Sequence, residues 1–370
     1  MTALQFIFSF LLVAQLAAGA PPVFTAGQPM PEMNARFEPS DGWIGADGDY
    51  SVALTPERTL WLFSDTWVGH VRDGKRTDPV MVNNTLAVQD GHGAQTKLQF
   101  VIRHDDAGRP TAFITPADHH GWYWLQAGAY VQDHLFLFLM QVEKTGAGGA
   151  FGFHQVGQWL GIVANPLDPP DAWRIEQHPL PCVQFPPDHQ ISYGAAVLED
   201  GGYLYIYGTD DQHRHGKIIR HLLVARVPTN AVSDFSAWRY YNGDKWDSDY
   251  RRAAGIADGL ASECSVSFLP KFGQYVLVYT EQGLSPKIQV RTATTPWGKW
   301  SAPTTVYHCP EMALDKQVFC YAAKAHPSEA TGDQLVISYA ANSRDFWEVI
   351  SNASLYWPRF ISVNVVSKKP

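Results

Sequence analysis

Five short apolar runs, each with an aromatic residue near its end, recur along the chain at nearly regular intervals. The aromatic residues are Phe63, Phe138, Tyr207, Tyr279 and Tyr339, and the steps between them are 75, 69, 72 and 60 residues. Each run is too short for a helix and is rich in Tyr, Phe, Val, Leu and Ile, which favours a β-strand. Repetition at such a period is typical of repeated supersecondary units. Five sheet units of this kind predict an all-β fold, a five-bladed β-propeller.

The composition agrees with one large β domain. The chain has 370 residues, of which 17% are charged and 13% are aromatic, and its net charge is −8. Such a chain is too apolar to be disordered, and it is a poor partner for nucleic acid, which requires clustered Lys and Arg. We therefore expect a single propeller domain over residues 21–370 and no nucleic-acid partner.

The first twenty residues have the pattern of a secretory signal peptide. Leu4 to Ala18 is almost entirely apolar, and small residues from Ala17 to Ala20 provide a cleavage site before Pro21. The alternative, an uncleaved anchor, is disfavoured because the apolar run is short for a membrane span. We expect residues 1–20 to be removed, the mature protein to be secreted or periplasmic, and no membrane association to remain.

The fifth unit lacks a fourth strand at the C-terminal end of the sequence. A propeller is closed when one terminal segment completes the sheet formed by the other. We expect residues around Asn34 to Phe37 to supply this strand.

The propeller interpretation locates the polar residues that converge on one central mouth, because the first strand of each blade starts there and the second strand ends there. Asp47 and Glu263 both lie 16 residues before the marker aromatic of their unit, so they hold equivalent positions in different blades. Asp49 shares a face with Asp47 by strand alternation, and Asp65 follows the second strand of the first unit. The mouth is therefore predicted to collect four carboxyl groups.

Crowded carboxylates raise the pKa of at least one member of the group. One carboxylic acid and one carboxylate on either side of a bond are what glycoside hydrolysis requires. We predict Asp47 and Asp65 as the acid/base pair, with Asp49 and Glu263 supporting or substituting for them. Two alternatives remain open. The Asp residues of a "DGD" turn can simply form turn hydrogen bonds, and an acidic cluster can also hold a structural Ca²⁺. No metal or cofactor is assigned.

Further residues at the predicted mouth are expected to bind a carbohydrate substrate. Trp43 and Trp67 offer faces on which sugars can stack, although packing in the core is an equally good interpretation. The other expected binding residues lie at the starts of first strands or the ends of second strands: Tyr193, Asp210, Glu281, Lys324, His326 and Arg344.

Several segments together resemble a family of exported bacterial proteins of long-unknown function. The segments are "GADGDYSVAL", "LWLFSDTWVG", "YGAAVL", "SECSVSF", "YAAKAHP", "LVISYAAN" and "WPRFISV". That family is similar to five-bladed propeller glycosidases and includes endo-D-arabinanases. The resemblance implies hydrolysis of a furanoside or related polysaccharide with inversion, and it matches Asp47 and Asp65 to acidic positions expected to be catalytic.

Three other functions compete with a glycoside hydrolase. A non-catalytic carbohydrate-binding propeller would use the same mouth without cleaving anything. A lyase or another hydrolase would use the region of Lys324 and His326 on a polyanionic substrate, which an acidic mouth repels. A structural propeller would dock another protein through a large apolar patch.

Overall fold

The computed structural model describes residues 21–146 and 151–367 of the chain. The predicted signal peptide therefore lies outside the described residues. Strands dominate the fold, which is all-β as expected, and its two α-helices are short. No helix in the described ranges is long and apolar enough to cross a membrane.

The N-terminal third forms one four-stranded sheet and one accessory sheet. Its elements, in chain order, are β1 (Pro22–Phe24), β2 (Gln28–Pro29), α1 (Pro31–Asn34), a 3-10 turn (Ala35–Phe37), β3 (Asp41–Ala46), β4 (Tyr50–Thr55), β5 (Arg58–Phe63), β6 (Thr66–Arg72), β7 (Lys75–Val82), β8 (Thr85–Asp90) and β9 (Lys97–Val101). The first sheet has the order β4-β5-β8-β9, and the accessory sheet has the order β3-β6-β7.

The second and third sheets follow a small hairpin. Its strands are β10 (Arg103–His104) and β11 (Pro110–Thr111). The second sheet contains β12 (Trp122–Val131), β13 (His134–Lys144), β14 (Phe153–Val163) and β15 (Ile175–Pro179). The third sheet contains β16 (His189–Asp200), β17 (Tyr203–Arg214), β18 (Lys217–Pro228), β19 (Arg239–Tyr241) and β20 (Trp246–Asp247), with β21 (Ala257–Asp258) paired to β18.

The fourth and fifth sheets complete the chain. The fourth contains β22 (Leu260–Leu269), β23 (Gln274–Glu281), β24 (Lys287–Ala293) and β25 (Thr304–His308). The fifth contains β26 (Val318–Ala325), β27 (Gln334–Ser343) and β28 (Pro358–Ser367), with α2 (Phe346–Ser351) between the last two strands. All five marker aromatics lie on the second strand of a sheet, so the strand prediction is confirmed at each of them.

The fourth strand of the fifth sheet comes from the N-terminal segment, but not from the residues that the sequence suggested. β1 pairs antiparallel with the end of β28, and β2 pairs with an earlier part of the same strand. Asn34 to Phe37 is helical instead. Its residues serve the core: Asn34 Oδ1 accepts a hydrogen bond from the Phe360 backbone at 2.7 Å, and the buried Phe37 ring packs against Trp61 with ring centres 4.9 Å apart.

Each sheet shares an apolar core with the next, and the fifth shares one with the first. Five separate clusters of buried side chains fill these contacts. The cluster between the fifth and first sheets contains Trp61 and Phe63 from β5 together with Val336 from β27 and Phe360 from β28. The five first strands also line one common cavity of about 420 Å³, with contributions from β4, β12, β16, β22 and β26. The five first strands therefore face one another across this cavity.

Candidate active site

Asp47 and Asp65 are neighbours because the chain crosses twice, side by side, between the first sheet and the accessory sheet. The turn at Asp47–Asp49 joins β3 to β4, and Ser64–Asp65 joins β5 to β6. Two backbone hydrogen bonds hold these crossings together: Asp47 N–H to Asp65 C=O at 3.3 Å and Ser64 N–H to Asp47 C=O at 2.9 Å. Gly48 is required here, because its φ is +88° and an added Cβ would lie 2.9 Å from the Ser64 nitrogen.

Asp47 is a partly buried carboxyl group with a strong hydrogen-bond donor. Tyr321, on β26, donates its hydroxyl proton to Asp47 Oδ2 at 2.5 Å. Burial and the nearby Asp65 and Glu263 carboxylates raise the pKa of Asp47 to about 8, while the hydroxyls of Tyr321 and Tyr356 oppose this shift. Asp47 is therefore largely protonated at neutral pH.

Asp65 lies next to Asp47 but has a more polar environment. Its Oδ1 accepts hydrogen bonds from Trp124 Nε1 at 2.7 Å and from Asn83 Nδ2 at 3.1 Å. Burial raises the pKa of Asp65 to about 6, and the two donors limit the rise because they stabilise the ionised form. Asp65 is therefore largely ionised at neutral pH. Two identical side chains thus hold different protonation states, which is the arrangement needed by an acid and a base.

Glu263 and Asp49 complete the carboxyl cluster around a buried lysine. Lys324 is 1% exposed, and its Nζ lies 3.2 Å from Glu263 Oε1. Asp49 is fully buried, and neither of its carboxyl oxygens has a hydrogen-bond partner among the described residues. Burial raises the pKa of Asp49 well above its usual range, and its complete burial keeps this side chain from contact with a substrate.

Aromatic side chains from different sheets border the acid pair. Phe153 packs edge-on against Trp124, the Asp65 donor, with ring centres 4.4 Å apart. Phe151 lies 5.8 Å from Phe319, which in turn lies 5.4 Å from Tyr321, the Asp47 donor. Residues 151–153 therefore link the surroundings of both carboxyl groups. This link depends on contacts between different sheets, which the sequence does not reveal.

Arg344 and α2 extend this aromatic border outwards. The Arg344 side chain is exposed, and its guanidinium lies 5.8 Å from the ring centres of both Phe151 and Phe319. Two residues later, Phe346 packs on Trp67 with ring centres 5.2 Å apart, and Trp347 is 72% exposed. The border therefore ends in a large aromatic face that is open to solvent. A binding role for Arg344 stays a prediction.

Four residues expected to bind substrate are instead inaccessible. Trp43 stacks on Phe100 in the core, with ring centres 4.3 Å apart. Tyr193 is fully buried beside Tyr240. His326 is 1% exposed with its Nδ1 2.8 Å from Ser51 Oγ, and burial lowers its pKa to about 3. The buried Lys324 serves Glu263 instead of a substrate. These expectations were wrong, because polar and aromatic residues at strand ends also fill the contacts between sheets.

The remaining expected residues are partly or wholly taken up by local contacts. Trp67 is 4% exposed and lies under Phe346. Asp210 accepts a hydrogen bond from His189 Nε2 at 2.7 Å. Glu281 accepts hydrogen bonds from Ser285, Lys287 and Gln289. Neither acid is among the groups that shift the pKa of Asp47 or Asp65. Within the described ranges, no group of three or more His, Cys, Asp or Glu side chains is arranged to hold a metal ion.

Comparison with solved structures shows that the fold is shared with another protein. A Bacteroides ovatus protein, named provisionally as a hydrolase, superposes with a TM-score of 0.71 at 20% identity, and the match covers 90% of this chain and 89% of that one. An α-L-arabinofuranosidase of Podospora anserina, solved with cellotriose, matches at a TM-score of 0.47 and 9% identity over 94% and 98% of the two chains.

Sequence comparison gives one relative and one family. Protein J′ of the notoamide biosynthesis cluster of Aspergillus versicolor is 23% identical over 273 residues, which cover 66% of this chain and 67% of that protein. A family model described as a domain of unknown function, DUF5005, matches residues 32–365. That description assigns no activity, so the expected relationship to endo-D-arabinanases stays a prediction. The match spans nearly the whole chain, and the protein therefore belongs to the DUF5005 family.

Proposed function

We propose that this protein is a glycoside hydrolase in which Asp47 is the general acid and Asp65 is the general base. The observation that carries the proposal is the contrast between the surroundings of these two adjacent carboxyl groups. Asp47 faces the carboxyl groups of Asp65 and Glu263, whereas Asp65 accepts hydrogen bonds from Trp124 and Asn83. This contrast raises the pKa of Asp47 to about 8 and that of Asp65 only to about 6. Perturbed carboxyl groups in a polar mouth are candidates for catalysis. A pair whose environments push the two pKa values apart fits acid and base roles at neutral pH.

We further propose that the five sheets are the blades of a closed five-bladed propeller. Two features support this arrangement. The five apolar cores follow the order of the sheets and include one between the fifth and the first. The first strands of all five sheets line a common cavity. In such a ring the acid pair lies at the mouth formed by the strand ends.

The proposed reaction balances with these two residues and water. The Asp47 carboxylic acid gives its proton to the glycosidic oxygen as the bond from this oxygen to the anomeric carbon breaks. The Asp65 carboxylate takes a proton from the water that attacks the anomeric carbon from the opposite face. Asp47 is left ionised and Asp65 protonated, and exchange with solvent restores both. Attack from the opposite face gives inversion of configuration.

The proposed substrate is a polysaccharide of the furanoside or arabinan class, as the family resemblance implies. The aromatic border offers ring faces to the C–H faces of sugars, and Arg344 offers several donors to sugar hydroxyls. Glu263 would support the pair by raising the pKa of Asp47. Cleavage of a polysaccharide outside the cytoplasm fits the signal peptide expected at residues 1–20.

One alternative keeps the same site: a propeller that binds carbohydrate without cleaving it. The exposed Trp347 supports this alternative as well, because a solvent-facing tryptophan can bind sugars whether or not the protein cleaves them. The second alternative, a lyase that uses Lys324 and His326, is disfavoured because both side chains are 1% exposed.

Release of reducing ends by residues 21–370 tests the proposal. The substrates are a panel that includes arabinans and arabinogalactans, and the variants are Asp47→Asn and Asp65→Asn. Loss of either role should lower the rate by about 100-fold or more. Asp258→Asn, an exposed carboxyl on β21, is the control and should keep full activity. Persistent activity in Asp47→Asn or Asp65→Asn contradicts the assignment, and glycan binding without release of reducing ends favours the non-catalytic alternative.

A further inference from the structure

Lys324 is a buried cation that joins three sheets at the carboxyl cluster. The residue lies on β26 in the fifth sheet and is 1% exposed. Its ammonium group donates to the Gly48 carbonyl at 2.5 Å, to the Ala322 carbonyl at 2.7 Å and to Glu263 Oε1 at 3.2 Å. These acceptors belong to the turn of the first sheet, to β26 itself and to β22 of the fourth sheet. All three ammonium protons are therefore used inside the protein.

The groups around this ammonium are mostly acidic or electron-rich. Gly48 is the middle residue of the turn that carries Asp47 and Asp49, so one hydrogen bond from Lys324 fixes the position of both acids. The aromatic face of Tyr50 lies 4.3 Å from the nitrogen. The titratable groups that face Lys324 from the packed elements are Asp49, Tyr50, Glu263, Cys264 and His326.

We propose that Lys324 is the internal counter-ion of the carboxyl cluster, and that its charge, in place of a bound metal ion, holds Glu263 and the Asp47–Asp49 turn together. It is thus a positioning residue and does not touch substrate. A buried charge is tolerated only when it is paired and hydrogen-bonded, and removal of one partner leaves the other uncompensated. The inference concerns the same cluster as the proposed hydrolase, but its test uses no substrate, so an inactive protein does not affect it.

Thermal unfolding of residues 21–370 at pH 8 and pH 5 tests this role. Lys324→Met should lower the Tm by about 5 °C or more at pH 8. The loss should be smaller at pH 5, because carboxyl groups that lack their counter-ion take up protons more readily. Lys324→Arg keeps the charge and should follow the wild-type pH dependence. Lys271→Met removes an exposed lysine paired with Asp333 and is the matched control, with no expected change.

Two further measurements separate a counter-ion from a side chain that only fills space. The double variant Glu263→Gln/Lys324→Met lacks the Glu263 carboxylate that loss of Lys324 leaves unpaired, so it should be more stable at pH 8 than Lys324→Met alone. Wild-type Tm should be the same in EDTA and in Ca²⁺. A loss of equal size at both pH values, a double variant no more stable than Lys324→Met, or a Tm that falls in EDTA and recovers with Ca²⁺ would each overturn the proposal.

Discussion

Asp47 and Asp65 have the same side chain, and their partners alone make them different. Asp47 faces other carboxyl groups and has phenol donors, whereas Asp65 accepts from an indole and an amide. Desolvation raises both pKa values, and the repulsion from Asp65 and Glu263 accounts for the further rise at Asp47. The pair titrates as a coupled unit, so kinetics will report two values that belong to the pair.

The Tyr321 hydroxyl stabilises the ionised form of Asp47, and its removal should therefore raise the pKa of Asp47 further. In Tyr321→Phe the alkaline limb of the pH–rate profile, where Asp47 loses its proton, should move to higher pH. The profile of kcat/KM measured on the wild type and this variant checks the shift. An alkaline limb that moves to lower pH, or does not move, contradicts the assigned role of Asp47.

The raised pKa of Asp47 also makes a prediction about stability. A carboxyl group with a folded-state pKa of about 8 favours folding while it is protonated, and this contribution is lost as pH rises from about 4 to about 8. Asp47→Asn removes the titration, so its Tm should exceed that of the wild type by a few degrees at pH 8 and by less at pH 4. Thermal scans at the two pH values test this. A variant that is less stable at pH 8 would show that the carboxyl group is needed structurally.

Residue positions were predicted from the sequence where they depend on strand register alone. Asp47, Asp65 and Glu263 follow from counting along repeated units, and the structure brings all three together. The prediction for Tyr193 was wrong because a β-bulge follows this residue and changes the strand alternation. Its ring therefore enters the core between the second and third sheets. The roles of Trp124 and Tyr321 as hydrogen-bond donors to the acid pair could not be predicted, since they arise from contacts between sheets.

At the scale of elements, α2 is the feature that the sequence did not reveal. Asp345 caps this helix by accepting from the Trp347 N–H at 3.0 Å, and buried Arg76 donates to the Val349 carbonyl at 2.6 Å. The helix is thus fixed to the accessory sheet, and it holds Phe346 against Trp67. The exposed Trp347 ring is consequently presented on a rigid support, which favours binding because little side-chain freedom is lost.

Trp347 should contribute to the binding of long substrates. Trp347→Ala should raise KM for the polysaccharide by about 2- to 10-fold, because aromatic stacking is worth roughly 0.5–1.5 kcal/mol. The KM for the shortest oligosaccharide that is cleaved should not change. Phe268→Ala is the control. It removes an aromatic side chain that is 40% exposed near the C-terminal end of β22, and it should change the KM of neither the long nor the short substrate. Equal effects on long and short substrates would place Trp347 beside the cleavage point.

At the scale of the whole molecule, the strands that carry the five marker aromatics were readable from the sequence, but the segment that adds a fourth strand to the fifth sheet was not. The marker aromatics repeat because each occupies the same strand of its sheet, and burial enforces this pattern. The closing strand β1 is only Pro22–Phe24, and its pairing with β28 joins residues more than 300 positions apart. Neither length nor composition sets such a short strand apart from a loop.

Closure of the fifth sheet by β1 and β2 predicts a strong effect of truncation. Deletion of residues 21–29 should lower the Tm by several degrees, because β28 loses its paired neighbour and an edge of the sheet is exposed. Differential scanning calorimetry of residues 30–370 and 21–370 makes the comparison. An unchanged Tm would mean that these strands are dispensable for the fold.

The pH dependence of kcat/KM for polysaccharide hydrolysis is the measurement that decides whether Asp47 and Asp65 act as acid and base. We expect a bell-shaped profile with limbs near pH 6 and pH 8, which belong to the Asp47–Asp65 pair. Asp65→Asn should abolish the acidic limb of the residual activity, and Asp47→Asn the alkaline limb. A profile that is flat across this interval, or one whose limbs persist in both variants, would contradict the account.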